Sequence, residues 1–146
     1  MTGEPAIAET SAEAIRSLIA RVAHAADEAA LEAYTQLYTE DAVWEMTGAT
    51  RAGARPQVCT GRTEIVAAAR ERRDAGIAGP GTATRHVTTC VAVTVDTADS
   101  ARAESVWQFF VDTTTAPSLS GMGRYHDVFR RVDGRWLLAR RSITVG

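Results

Sequence analysis

The chain contains no lysine, and all 16 of its basic residues are arginine. They are offset by 18 acidic residues, which leaves a formal net charge of -2 and no basic patch of the kind that binds nucleic acid. No stretch approaches the roughly 18 consecutive apolar residues of a membrane span. The first residues also lack the basic segment and apolar run of a secretion signal. We therefore expect a cytoplasmic protein that binds neither nucleic acid nor a membrane.

Cysteine is scarce as well. Cys59 and Cys90 are the two cysteines, and they have neither metal-ligand spacing nor the pattern of a disulfide framework. Each lies in an apolar, strand-like run, which predicts a small buried side chain. The sequence has no Walker loop, dinucleotide glycine motif, Gly-x-Ser-x-Gly elbow or cluster of His and Cys ligands. We expect neither a cofactor nor a metal.

The first half of the chain is helical in pattern. We expect residues 1–9 to form a flexible tail and residues 10–146 a single domain with its own core. Thr10 and Glu13 have the spacing of a capping box, and the helix that they begin is interrupted at Asp27-Glu28.

Two further helical patterns follow. The apolar positions of the second run from Leu31 to Tyr38, and Glu40-Asp41 is the signal that ends it. The third begins at Gly61 and ends near Asp74. Short strands are predicted at residues 42–46 and 57–60, on either side of a mobile loop at residues 47–56.

The pattern of the second half of the chain predicts a β-sheet. It contains four long strand-like runs, at residues 84–96, 102–112, 121–132 and 135–145. Hairpin turns are predicted at residues 97–100 and at Asp133-Gly134. Runs of this length exceed the usual strand and tend to curl. The pattern predicts an α+β fold. We expect a cone-shaped, curved, mixed sheet of about six strands that is wrapped on three N-terminal helices and has an internal pocket.

Three segments carry a resemblance to a known family: residues 31–44, the helix start Gly61-Arg62-Thr63-Glu64-Ile65, and residues 123–136. In this order they resemble the SnoaL-like branch of the nuclear-transport-factor-2-like superfamily, from about residue 11 to the C-terminus. The resemblance implies the cone fold. It does not select an activity, because this fold carries dehydratases, isomerases, cyclases, epoxide hydrolases and binding subunits.

The resemblance also implies a catalytic pair. Scytalone dehydratase and hexachlorocyclohexane dehydrochlorinase share an aspartate at the end of the first helix and a histidine on the strand after the third helix. Asp27 and His86 fall on these positions. A strand histidine whose ring is held by a carboxylate can act as a general base near neutral pH. Two departures are Ala26, where scytalone dehydratase has a tyrosine, and residues 102–112, which lack its second histidine.

Both residues have alternative roles. His86 could bond a backbone carbonyl, and Asp27 could cap the second helix. The other two of the three histidines, His24 and His126, are expected to be exposed.

Tyr125 is the third candidate. Strand alternation puts it on one face with Gly123, Asp127, Phe129 and Arg131. The resemblance implies that this face meets the cavity, where the phenol would donate a hydrogen bond to a substrate oxygen. Alternatively, its hydroxyl lies at the surface.

Aromatic residues are predicted to form the substrate-binding wall of the cavity, with Tyr34 and Trp44 at the rim; the alternative for the set is packing in the core. The other members of this set are Tyr38, Trp107 and Phe129. Asp41 is left outside the site, and one arginine of the Arg140-Arg141 pair is expected to be buried in an ion pair while the other is exposed. With Asp27, His86 and Tyr125 as its only polar groups, the pocket would favour a mostly apolar ligand bearing one oxygen function.

These residues predict a cofactor-independent lyase, isomerase or cyclase that uses an Asp27–His86 general acid/base pair. Its substrate would be a small, mostly apolar molecule of the polyketide, terpenoid or aromatic type. One alternative is a non-catalytic ligand-binding or assembly subunit, like the small subunit of a ring-hydroxylating dioxygenase. A third is an epoxide hydrolase, which in this fold generally uses an aspartate–arginine–aspartate set. Asp127 and Arg131 share a strand face, but the sequence shows no second inward aspartate. We expect a homodimer formed through the open face of the sheet.

Overall fold

A computed structural model describes residues 9–48 and 55–146 of the chain. The helices are α1 (Ser11–Glu28), α2 (Leu31–Thr35) and α3 (Gly61–Asp74). The strands are β1 (Tyr38–Met46), β2 (Gln57–Thr60), β3 (Arg85–Val95), β4 (Ser100–Val111), β5 (Ser118–Val132) and β6 (Arg135–Val145). Most of the predicted tail and most of the predicted loop at residues 47–56 lie outside the described residues.

The six strands form one sheet in the order β2-β1-β6-β5-β4-β3. Strands β1 and β6 run parallel, and every other neighbouring pair is antiparallel. The sheet is therefore mixed, and it does not close into a barrel. The predicted α+β class, the six strands and the three N-terminal helices are confirmed.

Both predicted hairpin turns are present. Asp133 and Gly134 have φ angles of 49° and 76°, the two positive values that a tight two-residue hairpin requires. At the other turn, the backbone N–H of Asp96 donates to the carbonyl of Ser100 at 3.0 Å. These turns align β3 with β4 and β5 with β6.

The prediction that the second helix runs through residue 38 is wrong. Helix α2 ends at Thr35, and β1 begins at Tyr38. The carbonyls of residues 37 and 38 accept tertiary hydrogen bonds instead of helical ones. The N–H of Leu138 on β6 donates to the Leu37 carbonyl at 2.9 Å. Arg62 donates to the Tyr38 carbonyl at 2.6 and 2.9 Å. Pairing with a central strand outweighs the local helical pattern.

Helices α1 and α3 cover one face of the sheet, with α1 against β3 and α3 against β1. Cys59 is buried as predicted, and burial raises the pKa of its thiol. The prediction for Cys90 is wrong, because this residue is exposed. It has a φ of 54° at an irregularity in the pairing between Thr89 and Ala92, where the regular alternation of side chains is lost.

In the described part of the chain, none of the helices α1, α2 and α3 combines the length and apolarity needed to cross a membrane. Within residues 9–48 and 55–146, no three His, Cys, Asp or Glu side chains come together as metal ligands would.

Candidate functional site

A cavity of about 110 Å³ lies between the inner face of the sheet and helices α1 and α3. It is partly open to solvent, and its apolar wall includes Trp44, Trp107 and Phe109. A cavity of about 150 Å³ is known to hold one benzene molecule. The enclosed space is smaller than that, but the cavity is partly open, so it suits a ring or one end of a longer molecule that extends through the opening.

His86 lies on the wall of this cavity, and Asp27 stands behind it. His86 is the second residue of β3, and Asp27 is a buried residue in the last turn of α1. Oδ1 of Asp27 is 2.6 Å from Nδ1 of His86, and Oδ2 accepts the His86 backbone N–H at 3.0 Å. One carboxylate thus holds both the ring and the backbone of the same histidine.

This geometry assigns the ring tautomer. A proton on Nδ1 of His86 is required to donate to the carboxylate of Asp27, which leaves the lone pair on Nε2. Nε2 makes no hydrogen bond within the described part of the chain, and the ring packs 4.7 Å from that of Phe109, centroid to centroid. Asp27 does not cap the second helix, because the N-cap of α2 is Ala30.

Tyr125 lies on the same wall, on the inward face of β5. Its ring stacks on Trp107 with a centroid separation of 6.3 Å, and Cζ of Arg141 lies 3.8 Å from its centroid. Burial raises the pKa of the Tyr125 hydroxyl to about 12, although the charge of Arg141 opposes this shift. Tyr125 is therefore a neutral phenol at pH 7 and can donate a hydrogen bond.

Arg141 is held under this tyrosine by a buried ion pair. Nε and Nη2 of Arg141 donate to the two carboxylate oxygens of Asp127 at 2.9 and 2.8 Å. Burial disfavours the charged guanidinium, but Asp127 outweighs it and raises the pKa of Arg141. As predicted, one arginine of the pair is buried, while Arg140 is exposed and donates to Glu45 at 2.8 Å.

The structure does not bring Asp127 and Arg131 together at the cavity, as the epoxide-hydrolase alternative would need. Asp127 pairs with Arg141, Arg131 is exposed on the surface, and neither Asp127 nor Arg131 lines the cavity.

Arginines on the cavity wall were missed by the sequence prediction. Arg72, Arg73 and Arg141 all line it, so Asp27, His86 and Tyr125 are not the only polar groups of the site. Arg73 donates to three carbonyls at the end of α1, those of Ala25, Ala26 and Ala29, at 3.2, 3.3 and 2.8 Å. It thereby fixes the helix end that carries Asp27.

The predicted aromatic wall is only partly formed. Tyr34, Trp44 and Trp107 line the cavity, whereas Tyr38 and Phe129 are fully buried in the core and do not reach it. The Tyr38 hydroxyl lies 2.8 Å from that of Tyr34, which places Tyr38 behind the wall.

The polar residues that the sequence analysis placed outside the site lie at the surface. His24, His126 and Asp41 are all exposed, as expected, and Asp41 accepts a hydrogen bond from Arg130 at 2.6 Å. Ala26 lines the cavity, so its small side chain leaves room for a ligand beside His86.

A family model described as a SnoaL-like domain matches residues 9–142. The chain belongs to the SnoaL-like family. The resemblance inferred from the sequence is thereby confirmed. No curated protein matches this SnoaL-like chain by sequence.

Solved structures share the SnoaL-like fold. An NTF2-like protein with a cystatin-like fold from Novosphingobium aromaticivorans is 27% identical, covers 91% of this chain and 80% of its own, and superposes with a TM-score of 0.75. A scytalone-dehydratase-like protein of that organism is 24% identical, with coverages of 91% and 82% and a TM-score of 0.66.

A third structure from the same organism is the beta subunit of a protein similar to aromatic-ring-hydroxylating dioxygenases. It is 19% identical, with coverages of 92% and 88% and a TM-score of 0.71. The fold thus accommodates both enzymes and assembly subunits, and the choice between them depends on the residues of the site.

Proposed function

We propose that this SnoaL-like protein is a cofactor-independent lyase, isomerase or cyclase that removes a proton from a small, mostly apolar substrate. The observation that supports this proposal is the Asp27–His86 pair on the wall of the cavity, with its 2.6 Å contact and with a His86 Nε2 that makes no hydrogen bond to residues 9–48 or 55–146. An assembly subunit would have no need to bury a carboxylate behind a histidine that faces a ligand-sized space.

His86 acts as the general base. Its Nε2 takes a proton from a carbon next to a carbonyl or a leaving group, and the electron pair of the C–H bond stays on the substrate. These two electrons form an enolate or expel the leaving group. Asp27 stabilises the imidazolium that results, and a positioned base of this kind contributes about 10²–10⁴ in rate.

Tyr125 stabilises the negative charge that develops on the substrate. Its hydroxyl keeps its proton, because burial raises its pKa to about 12, and therefore donates to an enolate or a leaving oxygen. The positive charge of Arg141, 3.8 Å from the centre of the Tyr125 ring, makes the phenol a better donor.

The apolar wall supports this substrate class. Trp44, Trp107 and Phe109 place aromatic side chains around a space of about 110 Å³, which suits an aromatic ring or a compact apolar group that is partly enclosed. A larger polyketide or terpenoid would place its reacting end inside and extend the rest through the opening. The lining thus favours a mostly apolar molecule with an oxygen function at the reacting end.

The elimination of 5-nitrobenzisoxazole tests the base without knowledge of the natural substrate. In this reaction a base removes the C–H proton, the N–O bond breaks, and a coloured phenolate is released. His86→Ala should reduce the catalysed rate about 100-fold or more, because the proton acceptor is lost. His126→Ala is the matched control, since His126 is exposed on β5 and lies outside the cavity.

The expected result is a near-normal rate in the His126 variant and a rate close to background in the His86 variant. Circular dichroism should show that both variants are folded. If the wild-type protein is no faster than His86→Ala, His86 is not a general base.

A further inference from the structure

We infer that Arg72 forms a carboxylate-binding subsite, so that the substrate of the proposed reaction is an apolar carboxylic acid. This inference rests on the proposed function only in that both assign the same cavity to the substrate. It concerns a residue with no role in the proton transfer described above.

Arg72 is held at the cavity by an aromatic ring. It lies in the last turn of α3, is half-buried, and its Cζ is 4.9 Å from the ring centroid of Trp44. A guanidinium over a ring face is attracted by the π-electrons, and this contact does not use the N–H donors that lie in the guanidinium plane. Trp44 thus positions a hydrogen-bond donor without satisfying it.

The other two arginines of the wall have partners. Arg141 donates to Asp127, and Arg73 donates to the carbonyls at the end of α1. Within residues 9–48 and 55–146, Arg72 makes no side-chain hydrogen bond and has no carboxylate within 4.0 Å.

The positive charge of Arg72 therefore has no ion-pair partner among the described residues. Of the two buried carboxylates near the cavity, Asp27 contacts His86 and Asp127 pairs with Arg141, so neither offsets Arg72. A partly desolvated charge without a counter-ion is unfavourable, and an anionic ligand would relieve it.

A carboxylate fits this position best. Its two oxygens match the donor fork of a guanidinium, and the cavity, being partly open, does not have to enclose both the carboxylate and the attached ring. Arg72 and His86 line the same cavity, so a carboxylate held by Arg72 would orient the apolar body of the substrate toward Nε2 of His86.

Benzoate and benzamide provide the test, because they share a ring and differ in charge. Both are titrated into ¹⁵N-labelled full-length protein at low salt, and the dissociation constant is obtained from the amide shifts of cavity residues. The wild-type protein should bind benzoate about 10-fold or more tightly than benzamide, the preference expected for a charged hydrogen bond. Arg72→Gln should abolish this preference and leave the affinity for benzamide unchanged.

The control is Arg70→Gln, which removes an exposed arginine from the same helix and should preserve the benzoate preference. His86→Ala should also preserve it, so a failure of catalysis is distinguishable from a failure of the carboxylate subsite. Three outcomes would overturn the inference: no benzoate-dependent shifts in the cavity, equal affinities for the two probes, or an Arg72→Gln variant that weakens both probes equally.

Discussion

Burial of the single residue Tyr125 keeps its hydroxyl protonated, which its proposed role as a hydrogen-bond donor requires. Its hydroxyl has a pKa of about 12 in the folded protein, against about 10 for an exposed tyrosine. The main cause is the loss of solvent around the phenolate. Below pH 10 both folded and unfolded states keep the proton, and the stabilisation is fully present. Between about pH 10 and pH 12 only the unfolded state releases it, so the free energy of unfolding falls as the pH rises.

The variant Tyr125→Phe isolates this effect. Between about pH 8 and pH 11, the wild-type protein should lose about 1 kcal/mol more unfolding free energy than the variant, because only the wild type has this buried phenol to ionise on unfolding. Urea unfolding at the two pH values measures the difference. Burial also raises the pKa of Tyr38, but that contribution is common to both proteins and cancels. An equal loss in the two proteins would show that Tyr125 is not desolvated as described.

The contact between Asp27 and His86 could be predicted from the sequence only with the help of the family resemblance. The residues are 59 positions apart, and no local pattern joins them. Arg72 could not be predicted in the same way. It stands in a run of charged residues at the end of α3 that looks like an ordinary solvated helix terminus. Which arginine of that run turns toward the cavity depends on how the helix lies across the sheet.

Secondary-structure elements with strong local signals were predicted well. The side chain of Thr10 accepts the backbone N–H of Glu13 at 3.2 Å, as the capping-box spacing predicts. Asp133-Gly134 similarly fixes the last hairpin through its two positive φ angles. Where tertiary contacts decide, prediction failed: β1 begins at Tyr38 because β6 pairs with it, and Cys90 is exposed because the strand is irregular there.

At the scale of the whole molecule, the helices cover one face of the sheet, and the other face carries exposed apolar side chains. Met122 and Val128 alternate outward on β5 and are 43% and 44% exposed. Leu119, at the start of the same strand, is 49% exposed. We propose that a second copy of the chain covers this face, because a symmetric contact pairs the same apolar residues of both copies.

Light scattering tests this homodimer. The wild-type protein should have twice the mass of one chain, and a charge introduced by Val128→Glu should shift it to the monomer. Val58→Glu is the control, since Val58 is 64% exposed on β2, at the edge of the sheet, and its replacement should leave the dimer intact. A wild-type protein that stays monomeric at high concentration would refute the dimer.

The fold brings Asp27 and His86 together at one cavity, and the proposed mechanism requires that they act as a unit. A double-mutant cycle on the elimination of 5-nitrobenzisoxazole tests this most directly, using Asp27→Asn, His86→Ala and the double variant. Residues that act together have strongly non-additive effects. Asp27→Asn should therefore slow the reaction about 10-fold or more when His86 is present and should have no further effect when His86 is absent. Equal slowing by Asp27→Asn in both backgrounds would contradict the account.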